Sequence, residues 1–549
     1  MNDASKTDRS PWRRLSGWGK AAVGVGALLL LIALFYGVEN WRGSRAWNSY
    51  RDQLKAKGEP LDIAAMAPAA IPGEENFFVE PLLANSIYSD VGAPRWSPRP
   101  IFSAGAAWSK VEVARIRLVT NETGEVQTTL GQFTNATAFL KFVKKASGLK
   151  MMDDPRQGQI LKVAQPVREI PLRGMPGAGQ KALAAMLPGF SWLVESTAVE
   201  NVFSVHARRG ITVEDFFLEC EDYRSHLETL QDAAEARPHA VLTWDTGQLW
   251  TGRQEDFSYF QGMSKFVCGH ALAALLKGDS AESVRDLRVV ARLIEGQGSG
   301  WRTVSALMSS AVAGVYLTVV EQGLRGHDWT AGQLMEIQGE LERMNFPLLL
   351  TARLRSNRAG LNQLLAESPR EGMLNVFFQS SRVTATPEEL FLRLAPRGWI
   401  LQNVRKINET QQEGIEFYDR AGEKMTPAFY ATPPVEPRGR RNHTPYNLLA
   451  GLMVQPMRTP WSTVATRQVQ VNEASIACAL ERFRLARGRY PEALTELGTE
   501  WVRRPGRDVF GHDLKYVPRG DGYLLYSFGV DGKDNGGTGD DIVWPPVEP

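Results

Sequence analysis

The chain has 549 residues, a formal net charge of +2, and 43% hydrophobic and 23% charged residues. That length exceeds a single hydrophobic core, and at about 150 residues per domain it points to roughly three units. The composition excludes global disorder, and so small a net charge without a clustered basic face excludes a nucleic-acid partner. Cys220, Cys268 and Cys478 are far apart and include no CxxC pair. Such a set builds neither a disulfide framework nor a zinc site, and it suits small buried hydrophobes.

Residues 21–38 form an uncharged apolar run centred on Leu28–Leu31. As a helix the run spans about 30 Å of hydrocarbon with snorkelling flanks. Trp18 and Trp41 bracket it as interface aromatics do. Lys6, Arg9, Arg13, Arg14 and Lys20 precede it, against Arg42, Arg45 and Arg51 behind it. This bias places residues 1–20 in the cytoplasm and everything after Val38 on the periplasmic side of an inner membrane. A cleaved signal peptide is the rival, but Phe35-Tyr36-Gly37 offers a bulky residue where cleavage wants a small one. The run reads as a single-pass signal anchor.

Residues 39–75 read as a stalk, with a short helix over Trp47–Leu54 and then Pro60, Pro68 and Pro72 interrupting regular structure. From 76 to 240 the signals are mixed. Val111, Val113, Ile116 and Leu118 suggest a bulged strand, and Thr134–Lys145 an amphipathic helix, which together make an α/β segment. Residues 241–425 turn helical. Phe260, Met263, Val267, Ala271 and Ala274 share one face, Gly278-Asp279 ends that helix, and Val284, Leu287, Ala291 and Ile294 open the next. Val304, Met308, Ala311 and Val315 follow, then Leu334, Ile337 and Leu341 beyond His327-Asp328. Thr386-Pro387-Glu388-Glu389 is a further helix start. Short breaks imply antiparallel neighbours, hence a helical bundle or an irregular solenoid without a fixed period. Residues 426–467 hold seven prolines together with Arg438, Arg440 and Arg441, and read as a linker free of helix and sheet.

In the last eighty residues Val469, Ile476, Leu480 and Phe483 mark one face of a helix ending at Gly488. Tyr490-Pro491 is set to start a short helix, Asp508-Val-Phe-Gly511 a turn, and Leu514–Tyr516 with Tyr523–Tyr526 a pair of antiparallel strands. Between Ser527 and Ile542, Asp531, Asp534, Asp540 and Asp541 stand among glycines. Hard carboxylates on so flexible a loop suit Ca²⁺, with about 6–8 oxygen ligands, better than the stricter octahedron of Mg²⁺. An EF-hand does not fit, because Lys533 and Ile542 stand where that loop needs carboxylates. A solvated acidic turn is the plainer alternative.

Taken in order, the Gly-x-Tyr-Pro turn, the Asp508 turn, Tyr526-Ser-Phe-Gly-Val-Asp531-Gly and Asp540-Asp541-Ile resemble the C-terminal domain of the major pseudopilin of type II secretion systems. The resemblance covers about Gln468–Trp544. It implies a small α+β domain at 468–549 with structural calcium bound by Asp531, Asp540 and Asp541, by the backbone carbonyls of Phe528 and Lys533, and by Thr538 as a further oxygen. It does not imply a filament subunit, because the Gly-Phe-Thr-Leu-x-Glu motif is missing and some 430 residues separate the membrane helix from the domain.

No GxSxG, HExxH, Walker or GxGxxG element appears. His270, beside Cys268 on an apolar helix, reads as a packed histidine. His206, His226 and His239 are scattered, and Asp215, Glu219, Glu221 and Asp222 read as a solvated face. The fold class expected is α+β multidomain: a membrane helix, a mixed segment, a mainly helical middle and a small pseudopilin-like domain. The function expected is a non-enzymatic, membrane-anchored envelope scaffold with envelope or secretion-system partners. The alternative is an envelope hydrolase or glycan-processing enzyme sited in the α/β segment.

Overall fold

The computed structural model describes residues 16–84, 220, 223–252, 254–377, 387–433, 444–454, 456–502, 506–520 and 522–545, with short strand segments between Tyr88 and Val205. Helices dominate. In chain order they are α1 (Gly17–Ala56), α2 (Arg224–Ala236), α3 (Phe257–Leu276), α4 (Ser280–Gly298), α5 (Thr303–Gly326), α6 (Ala331–Arg343) and α7 (Phe346–Asn362). Then come α8 (Arg370–Phe377), α9 (Pro387–Leu394), α10 (Arg397–Ile415), α11 (Pro427–Ala431), α12 (Leu448–Met453) and α13 (Arg458–Arg487). The chain divides into two units, each assembled from separated stretches of sequence. One comprises Met1–Met66, Arg355–Ile415 and Pro434–Met457, and the other Ala67–Leu354, Glu416–Pro433 and Arg458–Pro549. An α+β layout of more than one unit is therefore present, but it is not a linear series of domains.

In the first unit, Ser16 caps α1 by accepting from the Gly19 amide at 3.2 Å. From Ala21 to Phe35 every residue of this helix is exposed. Burial begins around Glu39 and recurs at Gly43, Trp47 and Leu54, one face at helical spacing. That face lies on α10. Gly43 and Gly398 let the helices meet main chain to main chain, and a Cβ on either would strike the opposing backbone. The Gly398 amide donates to Asn40 Oδ1 at 2.9 Å, and Trp399 Nε1 donates to Glu39 Oε2 at 2.9 Å. Past the helix, Glu59 accepts from Arg355 at 2.9 and 3.0 Å and from Arg358 at 2.7 Å. The expected break after Val38 and the separate short helix at Trp47–Leu54 are corrected. No proline lies between Glu39 and Ala56, and the buried face stabilises continuation until Gly58, at φ 75°, ends the helix. The proline-rich remainder of the stalk does lose regularity, with 3₁₀ turns at Ala64–Met66 and Gly73–Glu75.

In the second unit, α3 and α4 form a tight hairpin. Gly278 turns it at φ 82°, and Asp279 caps α4 by accepting from the Glu282 amide at 3.0 Å. Helix α5 packs on both and ends at His327 in the left-handed region, and a Thr330–Gln333 capping box starts α6. Helix α13 lies against α5 and α6. It buries Trp461, Val464, Val469, Ile476, Leu480 and Phe483, while Ala474, Ala477, Cys478 and Ala479 leave room for close approach. Each large aliphatic buried there contributes about 1.5–3 kcal/mol. The Gln468 side chain fixes the register, accepting from the Phe346 amide at 2.8 Å and donating to the Met344 carbonyl at 3.0 Å. Strands β1 (Lys515–Arg519), β2 (Gly522–Ser527) and β3 (Ile542–Trp544) form an antiparallel sheet in that order, with β3 touching α13.

Three further expectations are corrected here. Residues 426–467 are not a helix-free linker, since they contain α11, α12 and the start of α13. Pro427 and Pro460 sit in first turns, where a missing N–H removes no helical hydrogen bond. The C-terminal segment is consequently not set apart, because its helix begins ten residues before Gln468 inside the helical unit. Tyr490-Pro491 is followed by a 3₁₀ turn at Leu494–Glu496 and not by an α-helix. Within 76–205 the described strands pair antiparallel, for example Ile116–Arg117 with Val202–Val205 and Val126–Thr128 with Gly131–Phe133. Val111, Val113, Leu118 and Thr134–Lys145 lie outside the described residues, as do Arg438, Arg440 and Arg441.

Candidate functional site

The α3–α4 hairpin turns at Gly278, so a residue eight before the turn faces a residue eight after it. Those residues are His270 and Asp286. His270 Nδ1 lies 2.6 Å from Asp286 Oδ2. From α2, Gln231 Nε2 donates to Asp286 Oδ1 at 2.7 Å and to Glu282 Oε1 at 2.8 Å. Arg285 closes the edge by donating to Glu282 Oε2 at 3.3 Å. Asp286 is wholly buried and His270 nearly so. Burial pulls the His270 imidazole down, but the Asp286 carboxylate beside it outweighs that and raises its pKa. Burial pushes Asp286 up, against the lowering effect of His270. A single short hydrogen bond joins the two groups.

A cavity of about 330 Å³ adjoins the pair, lined also by Cys220, Arg224, Glu228, Asp279 and Arg285. Chemically the arrangement can store a proton, pass it toward that cavity, or offer three donors to a cation. Ligand atoms of His270, Glu282 and Asp286 all lie within 4.8 Å of one another. In the fold as it stands those donors face one another and the Gln231 amide, whose Nε2 is shared by Asp286 and Glu282 while its buried Oε1 has no hydrogen-bond partner among the described residues. Cys268, on the same helix, is fully buried, and burial pushes its thiol up, so it is no nucleophile. The sequence reading of His270 as packed holds for its burial but missed its acid partner. The signal was there: equal spacing on either side of a Gly-Asp turn pairs residues across a helical hairpin.

The C-terminal loop is organised differently. Asp531 Oδ1 accepts from the Lys533 amide at 3.1 Å. Asp534 Oδ1 accepts from Tyr526 Oη at 2.8 Å and from the Gly536 amide at 2.9 Å, and these bonds hold its carboxyl below the usual range. Asp541 Oδ2 accepts from the amides of Asn535 and Gly537 at 3.0 and 2.7 Å. Thr538 Oγ1 donates to the Asn535 carbonyl at 2.7 Å, and the Lys533 carbonyl accepts from Asn535 Nδ2 at 3.4 Å. The Asp540 carbonyl presses on Gly529, where a Cβ would not fit, and the Phe528 ring sits between Tyr526 and His512.

Asp531, Asp540 and Asp541 are thus not gathered round one point. Among the described residues, the one set of three such side chains within ligand distance is His270, Glu282 and Asp286. The donors meeting Asp531 and Asp541 are backbone N–H groups and, for Asp541, the Asn535 side-chain amide at 3.5 Å. In this arrangement the three carboxylates stand apart, so the calcium cage that the pseudopilin resemblance implies would need the loop to rearrange.

Asp508 is the hub on which this loop rests. Its Oδ1 accepts from the amides of Phe510 and His512, both at 2.9 Å, and its Oδ2 accepts from Ser527 Oγ at 2.5 Å. Nearby on α13, Glu473 is fully buried, and burial pushes its carboxyl well above the ordinary range. Of the other residues singled out in the sequence, His239 Nδ1 lies 3.6 Å from Glu295. His206, Asp215, Glu219, Glu221 and Asp222 lie outside the described residues.

A scan against protein-family models finds no match for the chain, and searches of the curated proteins and of solved structures find none either.

Proposed function

We infer that this protein is a membrane-anchored scaffold of the cell envelope, with residues 1–20 in the cytoplasm, residues 21–38 in the inner membrane and everything after Val38 on its periplasmic side. One observation carries the inference: a single unbroken helix is apolar and exposed from Ala21 to Phe35, and buries a face in folded protein from Glu39 onward. Exposed apolar area on that scale marks a surface meant for lipid or a partner, and the flanking Trp18 and Trp41 suit a bilayer. Helix α5 is also long and apolar enough to cross a membrane, but it is built into the helical unit, with Val312, Ala313, Tyr316 and Val320 buried. The role proposed is non-enzymatic. The C-terminal pseudopilin-like elements share a core with α5 and α6, so they act as part of a rigid body that presents envelope or secretion-system partners with one surface.

Alkaline extraction of membranes tests the anchor. The full chain stays with the lipid pellet and a chain beginning at Glu39 is released; release of both would refute the anchor. Among the described residues, an enzymatic reading is seated best at the His270–Asp286 pair, beside its cavity. Turnover of a hydrolase substrate by the purified protein, lost in His270→Gln, would replace the scaffold reading.

A further inference from the structure

Helix α9 has two faces that the first unit treats oppositely. Leu392 is buried and Phe391 stacks on Trp399, while Leu390 and Leu394 are 51% and 58% exposed. The two exposed leucines stand four residues apart, on one side of the helix. The end of α9 is fastened to the anchor helix: Tyr36 Oη donates to the Leu394 carbonyl, and Phe35 meets Trp399 edge to face at 5.9 Å. Tyr36 belongs to the last turn of the apolar run. Leu394 therefore sits at the depth where that run ends.

The surroundings carry both charges, since Glu388 and Glu389 lie in the first turn of α9 and Glu389 pairs with Arg393 at 2.8 Å. Arg393 is exposed, and Arg370 donates to the carbonyls of Arg393 and Ala395, capping the end of α9. Arg397 follows within a turn, donating to the Ala366 carbonyl at 2.6 Å. Two outward leucines edged by guanidinium groups, at the exit level of an apolar helix, match the build of an interfacial helix.

We propose that α9 seats on the membrane surface beside α1, with Leu390 and Leu394 in the headgroup–acyl boundary and the exposed Arg393 at the level of the headgroups. This second lipid contact fixes how the first unit stands on the bilayer, and it rests on the anchor reading above. The full chain in vesicles of zwitterionic and anionic phospholipid, carrying one nitroxide at a time on Leu390→Cys, Leu394→Cys, Leu30→Cys or Lys57→Cys, tests it. The native cysteines are buried and do not take label. Lys57 is the aqueous reference, since it lies about 28 Å along the helix axis beyond Val38.

The expected result is that labels at positions 390, 394 and 30 collide more with dissolved oxygen than with a water-soluble nickel chelate, and the label at 57 the reverse. Aqueous behaviour at 390 and 394 with a lipid signal at 30 would overturn the interfacial helix and leave the anchor standing. Aqueous behaviour at 30 as well would remove both. An aqueous signal at 390 and 394 that turns immobile only when another protein is added would assign the leucines to that protein and overturn the lipid proposal.

Discussion

Residues 21–38 and 39–56 belong to one helix with continuous backbone hydrogen bonding, yet they answer to different surroundings. The outer half is uniform until Phe35 and Tyr36 meet Trp399 and the Leu394 carbonyl. Its glycines, Gly24, Gly26 and Gly37, have nothing near the place a side chain would occupy. The inner half is particular, with Gly43 against Gly398, Glu39 receiving the Trp399 indole, and the chain just past the helix tied through Glu59 to two arginines. A bilayer asks only for length and apolarity, whereas a protein partner asks for specific atoms at specific heights. Substitutions should therefore be tolerated by class in the outer half and by identity in the inner half.

The largest effect is expected at the inner end. Arg358 is fully buried and also donates to Gln412 at 2.6 Å, so Arg358→Ala leaves Glu59 with one guanidinium and opens a cavity. Removing one member of a buried ion pair costs about 3–5 kcal/mol, and with Arg355 remaining the lower figure is expected in denaturant unfolding. Burial works to raise the Glu59 pKa, but the hydrogen bonds from Arg355 and Arg358 hold it down to about 2. A depressed carboxylate stabilises the fold above its unfolded value, and that contribution fades as pH falls through the folded one. The gap between wild type and Arg358→Ala should accordingly narrow between pH 5 and pH 2.

The outer half should respond to charge in place of shape. Leu30→Arg is expected to cost about 3 kcal/mol of insertion and to shift protein from the membrane to the soluble fraction, with the unfolding of the remainder unchanged. Shape is the complementary probe. Gly398→Val should cost about 1–3 kcal/mol through overpacking, while Gly24→Val should change neither insertion nor stability. Equal sensitivity at both glycines would erase the distinction between the halves.

Smaller effects are expected in the C-terminal loop, where the same contrast between identity and class recurs. Asp541 bonds two amides and Asp540 bonds none that the loop depends on, so Asp541→Ala should cost about 1 kcal/mol and Asp540→Ala less than about half that. With its carboxylates held by N–H groups, a chain beginning at Glu39 should melt at the same temperature in calcium and in chelator. A rise of several degrees in calcium, abolished by Asp531→Ala, would restore the metal cage expected from the pseudopilin resemblance.

What the sequence made legible divides along similar lines. The apolar run, the Gly278-Asp279 break and the strand pair around Pro518–Gly522 follow from local patterns, and the structure contains them. The inner half of α1 escaped because its continuation depends on α10, more than 300 residues away. The proline-dense stretch misled because proline opposes helix interiors but not first turns. At the polar site, His270 was visible and Asp286 was not, since their meeting needs the hairpin. In the acidic loop the residue types pointed to a cation, whereas the direction of each carboxylate is set by neighbouring amides that composition does not reveal.

The central claim is that α1 crosses a membrane and holds the folded units on the far side. A reporter active only in the periplasm, fused in one strain after Pro549 and in another at Asp8, tests it directly in cells. Activity from the Pro549 fusion and silence from the Asp8 fusion is the predicted result; the reverse pattern, or activity from neither with both proteins present, would contradict it.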